Sequence, residues 1–116
     1  MKKIILSFLI VGVVSFSISC EKTADVAAGK AKFDQNCAPC HGSSGKGDGP
    51  AAAVLNPKPR NFTDQAYMSK RTNAQLSAVI KNGGAANGFS AMMAPWAGVL
   101  SDADIANVVA YVRTLK

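Results

Sequence analysis

Asn36-Cys37-Ala38-Pro39-Cys40-His41-Gly42, or NCAPCHG over residues 36–42, is the stretch that decides the fold. Two cysteines bracket two small residues, and a histidine follows at once. Zinc binding, disulfide redox chemistry and covalent haem attachment all use cysteines this close. A closed zinc site needs four ligands. The motif offers Cys37, Cys40 and His41, no second cysteine pair follows, and His41 is the chain's single histidine. A thioredoxin-like redox pair belongs where a strand enters a helix of a parallel sheet, whereas this pair ends a helical pattern. A plain disulfide leaves the histidine unexplained. Haem attachment accounts for all three residues. Both thiols add across the porphyrin's vinyl groups, the two-residue spacer lets both reach one ring, and the imidazole is placed to become an axial iron ligand.

The iron's other face needs a partner, and with one histidine in the chain a second imidazole is excluded. The stretch AMMAPWAGVL offers Met92 and Met93. A thioether favours reduced iron relative to a second imidazole and raises the reduction potential, which suits an electron carrier. The bland reading makes both methionines core filler. Their place in a glycine- and proline-rich loop before a capped helix favours ligation.

Three segments read as helices. The first runs from about Ala24 to Asn36, with Val26, Gly29, Phe33 and Cys37 on one face. In the second, TNAQLSAVIKNGG, Thr72 is the N-cap with Gln75 three residues on. Leu76, Val79 and Ile80 form an apolar stripe expected to be buried, and Gly83 supplies the stop. In the third, SDADIANVVAYVRTLK, Ser101 is the cap, Asp102 and Asp104 favour the positive end of the helix dipole, and Ile105, Val108, Val109, Val112 and Leu115 line one face. Residues 42–70 and 84–100 show neither strand alternation nor an internal repeat. Loops of that length in a small domain are functional or disordered, or are wrapped around a large cofactor that supplies their apolar contacts.

The first twenty residues stand apart. Lys2 and Lys3, the apolar run IILSFLIVGVV and small residues leading to Cys20 have the layout of a secretory signal peptide, with a run too short for a membrane span. SFSISC resembles a bacterial lipoprotein signal, in which Cys20 becomes the lipidated N-terminus. Simple secretion with Cys20 incidental is the alternative. The expected division is residues 1–19 as signal, 20–25 as a short tether and 26–116 as one domain. The chain has 13 basic and 7 acidic side chains, and removing Lys2 and Lys3 leaves 11 against 7, a formal +4. The basic residues are scattered and not interleaved with aromatics, which argues against nucleic acid. A mild positive surface suits an acidic protein partner or an anionic lipid surface. A domain of roughly ninety-five residues gains only modest stability from its own core.

Residues 24–116 resemble the class I c-type cytochromes, particularly small bacterial ones. GKAKFDQNCAPCHGSSGKGDGP, the MMAPW loop and the final helix LSDADIANVVAYVRTL carry the resemblance. It implies an all-α fold of three main helices, with long loops wrapped around one covalently bound haem c. It also implies a close crossing of first and last helices, with Gly29, Phe33 and Tyr111 at the contact. In the family the ligand methionine is commonly followed by proline, then any residue, then an aromatic. Here Met93 is followed by Ala94, Pro95 and Trp96, so the proline is displaced by one. Counting back from Trp96 selects Met93 over Met92. The resemblance further implies that Pro50 offers a backbone carbonyl to the His41 ring and that Arg60 meets a haem propionate. The expected function is single-electron transfer between redox proteins outside the cytoplasm, on the periplasmic side of a bacterial membrane, with a lipid on Cys20 as anchor and no small-molecule substrate. Two rivals stand beside it: a dedicated haem c subunit of a respiratory complex, and a sensor or enzyme with an open sixth site. The motif has no acid or base beside it that would serve peroxidase chemistry.

Overall fold

The computed structural model describes residues 22–116, together with Gly12 and Ser15. The expected signal segment and Cys20 lie outside the described residues. Among those described there is no strand, and no helix is long and apolar enough to cross a membrane. Five α-helices follow one another: α1 (Val26–Asn36), α2 (Ala38–His41), α3 (Gln65–Met68), α4 (Asn73–Asn82) and α5 (Asp102–Val112). Short 3₁₀ turns occupy Pro50–Val54 and Ala85–Asn87. The three main helices are thus those the sequence marks, and the single turns α2 and α3 sit in what reads as loop.

The helix ends follow from local chemistry. Asp25 caps α1 through its side chain, which accepts from the Ala28 N–H. α4 opens on a complete capping box: the Thr72 hydroxyl accepts from Gln75 N, and the Gln75 side chain accepts from Thr72 N. α5 opens on a second box, Ser101 with Asp104. Asp104 therefore does more than favour the dipole. It accepts the Ser101 N–H, and that bond holds its carboxyl below the usual carboxylate range, with Lys32 adding a smaller attraction.

The core sits where α1 crosses α5. Phe33 is fully buried, and Val108, Val112 and Tyr111 close over it with Met68. The Phe33 and Tyr111 rings meet edge to face with centroids 5.1 Å apart. Burying a side chain of Phe33's size contributes about 2 kcal/mol. The crossing needs Gly29: any Cβ there would run into the Asn107 carbonyl of α5. The Asn107 side chain also accepts from the Asp25 N–H at 2.8 Å, so the cap of α1 is tied to the middle of α5. Val26, placed by periodicity on the same face, is 42% exposed because it lies beyond the crossing.

Arg113, just past α5, ties the crossing to the rest of the chain. Its Nη1 donates to the Met68 carbonyl at 2.7 Å, its Nη2 to the Arg71 carbonyl and its Nε to the Asn73 side chain at 2.9 Å. One guanidinium thereby binds two carbonyls and a side chain around the turn between α3 and α4. α4 contributes no fully buried residue. Leu76, Val79 and Ile80 are half-buried, not buried as the stripe predicts: all three line a cavity, and Leu76 and Ile80 also pack against the edge of the α1–α5 core.

Candidate functional site

The cavity has a volume of about 510 Å³ and is mostly apolar, within the range of sites that hold large organic ligands. Cys40 and His41 stand at one wall, Leu76, Val79 and Ile80 of α4 at another, Val109 and Val112 of α5 at its base, and Met92 and Met93 also line it.

The motif's geometry begins with Cys37, which ends α1 and starts α2. Its N–H reaches Phe33 O at 2.8 Å, and its carbonyl receives the His41 N–H at 2.8 Å. The single turn α2 therefore continues rigidly from the packed crossing. Gly42 must follow the histidine. Its φ is +81°, and the Asp48 side chain occupies the space a Cβ would need. The loop then folds back on the motif, with Gly47 N donating to His41 O at 2.7 Å and Gly49 N to Cys40 O at 3.1 Å.

His41 is held on two sides. Its ring stacks on Phe62, centroids 4.5 Å apart and planes within 19°. Its Nδ1 lies 3.1 Å from the Arg60 carbonyl oxygen. With Nδ1–H donating there, Nε2 keeps its lone pair for a metal, and the ring's orientation is set. Burial holds the imidazole below its ordinary pKa despite the opposing pull of that carbonyl, so the neutral, ligating form is favoured. The carbonyl facing Nδ1 is thus Arg60's. Pro50, the residue the resemblance put there, opens the 3₁₀ turn and is exposed.

Neither Cys37 nor Cys40 is in a disulfide. Burial, and secondarily Cys40, pushes the Cys37 thiol up to about 11. A redox-active pair needs the opposite, a stabilised thiolate. Among the described residues no cluster of three histidine, cysteine or acidic side chains is arranged to hold a metal ion. Among the described residues no carboxylate lines the cavity.

The methionine loop is strapped to the end of α4. Gly84 N donates to Met93 O and Trp96 N to Ile80 O, at 2.8 and 2.9 Å, and Met93 N donates to Ser90 O at 3.1 Å. Met93 is half-buried, while Met92 is 66% exposed. Arg60 lines the cavity, and its guanidinium stacks 3.8 Å from the centre of the Tyr67 ring, which Arg71 also approaches at 4.7 Å. Phe62, Tyr67 and Leu55 are wall residues that sequence reasoning does not assign. Leu55 and Phe62 sit in irregular chain and Tyr67 in the single turn α3, where no periodicity marks a facing side.

These features fit covalent haem c. Two free thiols, a neutral imidazole with Nδ1 occupied, thioethers across an apolar cavity and an arginine at its rim are the donors and surroundings that group requires.

Comparison with known proteins agrees. The family model for cytochrome c matches residues 26–116. The chain is 40% identical over 94 residues to cytochrome c-554(547) of Halothiobacillus neapolitanus, covering 79% of this chain and 98% of that one. It is 36% identical over 89 residues to cytochrome c6 of Chlorolobion braunii, covering 77% of this chain and 89% of that one. It is also 39% identical over 93 residues to the cbb3-type cytochrome c oxidase subunit FixP of Azorhizobium caulinodans, where the match takes 78% of this chain but only 29% of the relative. A solved chain of the Kuenenia stuttgartiensis reducing HAO-like protein complex Kustc0457/Kustc0458 superposes with a TM-score of 0.66 at 27% identity, covering 80% of this chain and 43% of that one. Motif, all-helical architecture and these relatives converge: the chain belongs to the cytochrome c family, whose cofactor is covalent haem c with its iron.

Proposed function

We propose that the protein carries single electrons between redox proteins outside the cytoplasm. In this reading Cys37 and Cys40 hold one haem c by thioether bonds, and His41 and Met93 are the axial ligands. Bound haem c supplies an iron that accepts and returns one electron. The chain's part is to hold the ring in a dry cavity, keep His41 neutral and oriented, and present a sulfur donor opposite it. The observation that carries the reading is the pairing of His41, its Nδ1 engaged by Arg60, with Met93 on the lining of one apolar cavity. Met93 is preferred because its backbone is tied on both sides and its side chain is half-buried, whereas Met92, which also lines the cavity, is 66% exposed. Arg60 is the residue proposed to meet a haem carboxylate.

Residues 1–19 are proposed as the export signal, 20–25 as a tether and Cys20 as the site of lipidation on the periplasmic side of a bacterial membrane. A multiply acylated terminus binds membranes strongly, since each buried methylene contributes about 0.8 kcal/mol. Cys20→Ser should move the protein to the soluble fraction. Wild-type protein found soluble, with an unmodified N-terminus, defeats that part alone.

A pyridine haemochrome spectrum with the intact mass of the exported protein tests haem type and count, and the long-wavelength band of ferric methionine–histidine haem tests the ligands. Absence of that band in the wild type would favour an open sixth site. The match to FixP supports a second reading, in which the domain serves one respiratory complex and not several partners. Stoichiometric co-purification with an oxidase would establish it.

A further inference from the structure

Arg71, in the turn between α3 and α4, carries the one buried side-chain nitrogen or oxygen among the described residues that has no hydrogen-bond partner, its Nε. Folded proteins rarely leave such a donor unmet. The guanidinium is held against two rings, 4.7 Å from the centre of Tyr67 and 5.6 Å from that of Phe89. Both rings line the haem cavity, Tyr67 from α3 and Phe89 from the loop that leads to the methionines. Arg71 therefore stands directly behind the cavity wall. The rings attract its charge without neutralising it. The ion pairs among the described residues, Lys30–Asp34, Lys32–Asp104 and Lys81–Asp102, do not include it. Asp64, the acid of the neighbouring turn, caps α3 by accepting from the Tyr67 N–H at 3.1 Å. Arg60 rests on the same Tyr67 ring at 3.8 Å. Two guanidiniums thus share one ring, and none of the described acids pairs with either. Like charges this close repel unless an anion joins them.

We propose that Arg71 meets the second haem carboxylate, the one Arg60 leaves, and that this shielded cation holds the iron's reduction potential up. The proposal rests on haem c filling the cavity and does not depend on which methionine is the ligand. Haem c carries two carboxylate side chains on one edge of its ring. Nε and a terminal nitrogen of a guanidinium form a fork that binds a carboxylate through two parallel hydrogen bonds. The side chain extends from a fixed base, because the Arg71 carbonyl accepts from Arg113 Nη2. Phe89, which covers it, is exposed and follows Gly88, around which there is open space, so that ring can yield to a ligand's edge. Ferric haem carries one more positive charge than ferrous haem. A cation screened from water beside the ring therefore disfavours the ferric state more than a solvated one does.

NMR of the ferrous wild-type holoprotein, with nitrogen-15 arginine, tests the contact. The Arg71 Nε–H should exchange slowly with water and show cross-peaks to the methylenes of one haem carboxylate side chain. Fast exchange, or cross-peaks to Tyr67 and Phe89 alone, would overturn the proposal by leaving Nε to water or to the rings. Redox titration tests the consequence. Arg71→Gln should lower the potential by more than Lys70→Gln, which removes the same charge from the exposed neighbouring position. Arg71→Lys, which keeps the charge, should recover most of the loss. The Arg71→Gln shift should persist in high salt, where that of Lys70→Gln fades. A lower melting point in Arg71→Gln with the wild-type potential would make the residue a structural clamp and defeat the proposal. The haem spectrum and haem count of the wild-type sample report on the cofactor reading separately.

Discussion

The crossing of α1 and α5 and the cavity beside it are built on opposite terms. At the crossing the protein supplies both surfaces: Phe33, Val108, Tyr111 and Val112 are buried among themselves, and Gly29 brings two backbones together. Around the cavity the apolar side chains of α4 are only half-buried, Phe89 is 41% exposed, and the walls are largely loop held by backbone hydrogen bonds. The first region is a core, and the second is a shell around a cavity of cofactor size. The motif NCAPCHG sits at the joint between them, one turn beyond α1. A covalent cofactor attached there is fixed to the part of the molecule that is already rigid.

That contrast can be broken most severely by removing the attachment. Cys37→Ala with Cys40→Ala should leave the cavity half without its apolar contacts, so the exported domain should fail to accumulate or melt without cooperativity. Circular dichroism and amide exchange check it, with protection lost first in α4 and the methionine loop. Native-like cooperative melting of the haem-free variant would show that the shell needs no filling.

A smaller effect is expected from Gly29→Ala, which attacks the crossing and spares the cavity. The added methyl would meet the Asn107 carbonyl, a backbone atom that cannot step aside, so holoprotein stability should fall by about 1–3 kcal/mol or somewhat more. Thermal melting measures the loss, and the ligand band in the visible spectrum should persist. If that band shifted while the melting point held, the crossing and the site would not be separable in the way described.

The smallest effect belongs to the cap of α5. Ser101→Ala removes the hydroxyl that accepts from Asp104 N and should cost about 1 kcal/mol, read as a lower melting point with an unchanged haem spectrum. The same box has a pH signature. Asp104's carboxyl is depressed in the folded protein, so its contribution is present above its ordinary value of 3.8 and is lost as pH falls through the lower folded value. The acid limb of stability should flatten in Asp104→Asn.

Legibility in the sequence divides along the same line. The three long helices and both Ser/Thr caps read directly, because periodicity and capping chemistry are local, whereas the Gly29–Phe33–Tyr111 contact was implied only by the resemblance to the cytochrome family. The stripe Leu76, Val79 and Ile80 was legible as apolar but not as a cavity wall, since hydrophobic spacing does not reveal what lies opposite it. Asp104 reads as a charge near a dipole, although its hydrogen bond to Ser101 matters more. The carbonyl facing His41 belongs to Arg60, nineteen positions along the chain. That choice follows from how the loop of residues 42–60 returns to the motif, a path held by Gly42, Gly47 and Phe62 backbone bonds that leave no periodic trace. Phe62 and Tyr67 were visible only as aromatics, and nothing local announces that one stacks on the histidine and the other on Arg60.

The central claim is that the cavity presents His41 and Met93 to one iron. Paired spectra and redox titrations of Met93→Ala and Met92→Ala test it most directly. Met92 is exposed, so Met92→Ala should keep the methionine band and a near-native potential. Met93→Ala should lose the band and lower the potential, because reduced iron loses its soft thioether donor. Loss of the band in Met92→Ala with Met93→Ala unaffected would reverse the assignment, and loss in neither would contradict the account.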